Sequence, residues 1–119
     1  MKLVPTLPET PTLADLQSHL RETCVYHGWD KNTVEHIYLL FVEEVGELAK
    51  AVRKMSGLQV EVGLDRSAEA MRANMEEELA DVLCYLLDIA NHYNVDLEAA
   101  YRTKTERNLT RQWLTTVGA

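Results

Sequence analysis

Glu44 and Glu47 stand three residues apart in EEVGEL, and Glu78 and Asp81 stand three apart in EELAD. On a helix, positions three or four apart share a face, so each motif offers a pair of carboxylates in one direction. Glu43 adds a third acid beside the first pair, four residues before Glu47. The flanks are apolar: Leu39, Leu40, Phe41, Val42, Val45 and Leu48 around the first motif, and Leu79, Val82, Leu83, Leu86 and Leu87 around the second. Carboxylates crowded in such surroundings lose hydration, at a cost of several kcal/mol each unless something compensates. Lys50, Arg53 and Lys54 lie toward the end of the first segment. Arg72 precedes Glu78 by six residues, and no Lys or Arg follows before residue 93. The local cations are too few for four or five acids. A hard divalent cation such as Mg2+, with Mn2+ as a substitute, is the natural counter-charge, because it takes oxygen ligands and leaves places for water and phosphate. A ferritin-like di-iron centre needs Glu-x-x-His pairs. Glu44-x-x-Glu47 and Glu78-x-x-Asp81 lack the histidine, and His36 and His92 read as surface or packing residues.

Helices must hold these pairs. Thr12 with Asp15 reads as the capping pair of a first helix, followed by Leu13, Leu16, Leu20 and Cys24 at helical spacing and by Gly28 near its end. Asp30 is the expected cap of a second helix, roughly 31–55, stopping near Ser56-Gly57. Residues 56–66, SGLQVEVGLDR, read as a loop despite a short alternation. Asp65 or Ser67 opens a third helix over about 67–93, with Asn94 suited to a left-handed position. Asp96 caps a fourth helix over about 97–112. The expectation is an all-α, four-helix bundle-like fold. Residues 1–11, with Pro5, Pro8 and Pro11, form an extended arm, and 12–119 form a single domain.

The 119 residues suffice for one domain. The net charge is −7 and there is no basic block, so duplex nucleic acid is not an expected partner. No segment has the length and apolarity of a membrane span or signal peptide. Cys24 and Cys84 have no CxxC partner and read as small apolar residues in a reducing compartment. The expected location is the cytoplasm. The second and third helices are apolar on nearly every face, more than four helices can cover, which points to a homodimer or homotetramer.

The segments EEVGELAKA, EELADVLCYLLDIA and VDLEAAYRTKTERNLTRQW, in this order, resemble the MazG-like all-α nucleoside triphosphate pyrophosphohydrolases over roughly residues 29–113. Thirty residues separate Glu47 from Glu78, toward the long end of that pattern. The resemblance implies cleavage of a nucleoside triphosphate between its α and β phosphates. It implies Mg2+ on Glu44, Glu47, Glu78 and Asp81, with Glu43 as an extra ligand or the base for the attacking water, so that Glu43 and Glu47 are the catalytic candidates. It also implies a phosphate-binding cluster at Lys104, Asn108 and Arg111, with Arg107 as an alternative in register. Lys104, Asn108 and Arg111 are at i, i+4 and i+7, so one face of the fourth helix carries all three. Lys54 is a further candidate substrate contact. Trp29 is a candidate to stack on the base, and Tyr85, on the carboxylate stripe, to touch ribose or triphosphate. Trp113 reads as an anchor of the C-terminus. Two alternatives share the sequence features: an enzyme acting on phosphoribosyl-ATP, and a non-catalytic helical oligomer that binds nucleotide or protein.

Overall fold

In a computed structural model, residues 1–115 are described. The last four residues of the expected 12–119 domain lie outside them. The elements are α1 (Leu13–His27), a 3-10 turn (Trp29–Lys31), α2 (Val34–Ser56), α3 (Ala68–His92) and α4 (Leu97–Leu109). Among the described residues there is no strand, so the all-α reading holds, and 56–66 is a loop.

Local chemistry explains most boundaries. Thr12 and Asp15 form a reciprocal capping box at α1. Gly28 closes that helix with φ 79°, a left-handed conformation that costs glycine little. Ser67 caps α3 by accepting from the Ala70 amide, and Asp96 caps α4 by accepting from the Ala99 amide. Asn94 follows α3 at φ 54°, as its short polar side chain permits.

Two boundaries differ from expectation. The cap of α2 is Thr33, not Asp30: Thr33 accepts from the His36 amide at 3.3 Å, while Asp30 is spent inside the 3-10 turn after Gly28. And α4 stops at Leu109 rather than near 112. Its last carbonyls find other donors. The Thr110 hydroxyl donates to Arg107 O at 2.7 Å, and Trp113 Nε1 donates to Asn108 O at 3.2 Å. Trp113 thus ties the tail to α4, while Arg111 leaves the helix.

The principal packing is α2 on α3, with α1 on α3 and α4 on α1. Met55 near the end of α2 lines one depression with Met71 and Met75 near the start of α3, whereas Leu40 lines another with Tyr85, so α2 and α3 run antiparallel. Arg53 and Arg66 brace the intervening loop. Arg53 donates to Leu58 O and Gln59 O, both at 2.7 Å, and Arg66 donates to the final carbonyls of α2, Lys54 O and Met55 O. The α1–α3 contact carries a polar knot. Buried Gln17 donates to Asn91 Oδ1 and Val95 O, accepts from the Leu97 amide, and takes the Asn91 amide on its own carbonyl.

Among the described residues the buried apolar ones are few: Cys24, Ile37, Ala51, Leu87 and Ala90, with Ile37 the most completely buried. Leu39, Val42, Val45 and Val52 on α2, and Leu79, Leu83 and Leu86 on α3, are exposed. The radius of gyration is 18.1 Å, against about 13.5 Å for a compact chain of this length. No described helix is long and apolar enough to cross a membrane.

Candidate metal centre and adjoining cavity

The antiparallel pair brings Glu44 on α2 against Glu78 and Asp81 on α3. One carboxylate oxygen from each lies within 4.8 Å of the others. All three are partly buried. Among the described residues none has a Lys or Arg in ion-pair contact. Glu78 Oε2 is buried with no hydrogen-bond partner. Burial first, and then the charges of Asp81, Glu78, Glu43 and Glu47, push the Glu44 carboxyl above its ordinary 4.5. An all-oxygen donor set, an orphaned buried oxygen and mutual repulsion without a cation fit a hard divalent ion. The residues present can hold one.

Glu47 stands apart from this trio. It is exposed on the next turn of α2, and Glu43, immediately before Glu44, is exposed too, although both act on Glu44 through charge. Of the four expected ligands the fold assembles three.

Asp81 also lines a cavity of 430 Å³. Leu20 and Cys24 of α1 form one wall, Trp29 and Asn32 of the turn region another, and Asp81, Tyr85 and Asp88 of α3 a third. Trp29 is 51% exposed and stacks on His27 with ring centroids 4.3 Å apart, so one indole face is covered and the other is free for a flat ligand. Burial, then the charges of Glu44, Asp81 and Asp88, raise the Tyr85 phenol, which keeps it a neutral O–H donor. Trp29 and Tyr85, read from sequence as substrate contacts, therefore border one cavity next to the carboxylates. The α1 wall and Asn32 were not foreseen, since nothing local says which face of α1 meets α3. A larger depression, 630 Å³, lies between the N-terminal arm and α1, away from the three carboxylates.

The C-terminal cations lie elsewhere in the single chain. Lys104 and Arg107 are exposed on α4, which packs mainly on α1. Asn108 Oδ1 is buried without a partner. Arg111 lies outside the helix with its guanidinium 4.9 Å from the Trp113 ring centroid, so the i, i+4, i+7 face does not extend to it. Lys54 is ten residues beyond Glu44, about 15 Å along α2.

Comparison with known proteins decides the family. The profile of the MazG nucleotide pyrophosphohydrolase domain matches residues 32–113, most of the chain and all of the three-carboxylate centre. The chain belongs to the MazG nucleotide pyrophosphohydrolase family. It is similar to dCTP pyrophosphatase 1 of Rattus norvegicus, 34% identical over 102 residues, and of Homo sapiens, 35% identical over 103. Each match covers 85% of this chain, which spans 59% of the length of those relatives. It is also similar to the uncharacterized protein YvdC of Bacillus subtilis, 32% identical over 101 residues, covering 80% of this chain and 91% of YvdC.

Proposed function

We propose that this MazG-family chain hydrolyses a nucleoside or deoxynucleoside triphosphate to the monophosphate and pyrophosphate, with Mg2+ as the metal. The observation that carries the reading is the junction at Asp81, where three convergent carboxylates open into a cavity with an aromatic plate. Phosphates belong at the acidic end through a bridging cation, and the base belongs beside Trp29. The dCTP pyrophosphatases among its relatives support a pyrimidine deoxynucleotide as substrate.

Glu44, Glu78 and Asp81 would hold the ion, with Glu47 turning in to complete its shell. Bound there, a divalent cation neutralises phosphate charge and eases ionisation of a water. Glu43 or Glu47, both exposed on α2 near Glu44, takes the proton from the attacking water. The Tyr85 hydroxyl donates to sugar or phosphate oxygens. Trp29 stacks on the base and fixes the approach. In phosphoryl transfer such positioning and charge stabilisation are the protein's main contributions.

Lys54, Lys104, Arg107, Asn108 and Arg111 are proposed as phosphate contacts. Their distance from the centre within one chain is resolved if a second copy supplies some of them. The exposed apolar faces of α2 and α3 support a homodimer or homotetramer. So does Gly46, which sits mid-helix with open space where a Cβ would be. Glycine there costs the helix about 1 kcal/mol relative to alanine, a cost that close approach of another helix would offset. The two free cysteines suit the cytoplasm.

The test is a panel of canonical and modified triphosphates with Mg2+, read by separating the products. Monophosphate and pyrophosphate are expected from a subset. Diphosphate and phosphate would overturn the cleavage position, and no turnover across the panel would leave a binding protein.

A further inference from the structure

The wall of α3 is a ladder. From Asp81, Tyr85 is one turn on and Asp88 two turns on, and all three line the same cavity. Seven residues of helix span about 10.5 Å. That suits the reach of a nucleotide from its phosphate to the far edge of its base: phosphate at Asp81, sugar at Tyr85, base edge at Asp88. Asp88 is an unexplained group. Its side chain is only 16% exposed. No hydrogen bond reaches its carboxylate from the described residues, and the His92 Nε2 lies at 3.8 Å, too far to donate one. Asn32, across the cavity, has a side-chain amide that makes no hydrogen bond among the described residues and supplies both a donor and an acceptor.

Resting on the proposed triphosphate reaction, we propose that Asp88 is its specificity-determining residue, accepting a hydrogen bond from the exocyclic amine of the base and so selecting cytosine over uracil. An ionised carboxylate only accepts. The 4-amino group of cytosine donates, whereas the 4-keto oxygen of uracil in the same place would face Asp88 acceptor to acceptor. The Asn32 amide completes the edge by donating to the ring nitrogen or 2-keto oxygen. Burial pushes the Asp88 carboxyl up, with His92 opposing, and an N–H donor from the ligand relieves that desolvation.

The experiment measures kcat/KM for dCTP and dUTP with Mg2+, in the wild type and in Asp88→Asn. The wild type is expected to favour dCTP, and Asp88→Asn to lower the dCTP/dUTP ratio roughly 5- to 150-fold, since the new amide can turn its N–H2 to the keto oxygen. An equal loss on both substrates overturns the assignment, because a merely structural residue is blind to the base. So does a wild-type preference for dUTP. Absence of turnover of every triphosphate by the wild type overturns the underlying reaction, and this assignment with it. A second measurement needs no variant: dCMP should inhibit the wild type at lower concentration than dUMP. Equal inhibition would overturn the assignment even if Asp88→Asn did not fold.

Discussion

Neutralising one carboxylate of the centre should stabilise the metal-free protein while removing its response to Mg2+. In Glu78→Gln the shape is kept and one charge is lost. Two unit charges 4.8 Å apart repel by about 0.9 kcal/mol in water and about 3.5 kcal/mol at an effective dielectric of 20. Three such pairs exist among Glu44, Glu78 and Asp81, and the substitution removes the two that involve Glu78. Because the centre is only partly buried, the net gain is set nearer the lower figure, on the order of 1–3 kcal/mol after the cost of placing an amide there. For a domain of this size, 1 kcal/mol moves Tm by about 3–6 °C. The wild type has the opposite reserve. At 100 times its Kd, bound Mg2+ adds about 2.7 kcal/mol. Thermal unfolding at one fixed protein concentration, in EDTA and across a Mg2+ titration, reads both effects. The variant should melt higher than the wild type in EDTA and lower at saturating Mg2+, with the two curves crossing. A variant that melts lower in EDTA, or a wild type indifferent to Mg2+, would refute the electrostatic account of the centre.

Other outcomes follow from single residues. Gln17→Ala strands Val95 O and the Leu97 amide at the α1–α3–α4 junction and should cost on the order of 3 kcal/mol, seen as a lower urea midpoint at unchanged slope. Asp88, held above its ordinary 3.8 by burial, contributes stability that is full below 3.8 and is lost as pH rises through its raised value. Asp88→Asn should therefore be more stable than the wild type at pH 7, and the difference should close as pH falls below 3.8. A gap that widens on acidification would contradict the sign. Burial pushes the Cys24 thiol up to about 11, with the charges of Asp88, Asp30 and Cys84 adding to it; burial and the Asp81 charge raise Cys84 as well, but Cys84 is exposed where Cys24 is buried. Alkylation at pH 8, followed by peptide mass, should label Cys84 well before Cys24.

What was legible in the sequence was what local chemistry decides. Thr12, Ser67 and Asp96 cap their helices through contacts within three residues, so their types and spacing sufficed. The acidic motifs were legible because three-residue spacing fixes a face whatever the helix packs against. Asp30 misled because a left-handed Gly28 and a 3-10 turn postponed α2 to Thr33. The end of α4 was hidden because its carbonyls are satisfied by Thr110 and by Trp113 returning from the tail. Whether Glu47 joins the trio depends on how α2 is rotated against α3, which spacing does not encode. The same holds for Leu20 and Cys24 on the cavity wall, and for Lys104 and Arg107, which α4 carries to α1 rather than to the carboxylates.

The measurement closest to the central claim is pyrophosphate release from dCTP by the wild type in Mg2+, by the wild type in EDTA, and by Glu78→Gln in Mg2+. If Glu44, Glu78 and Asp81 hold the ion that the reaction needs, the first releases pyrophosphate and the other two fall by orders of magnitude. Equal release in EDTA, or by Glu78→Gln, would contradict the account.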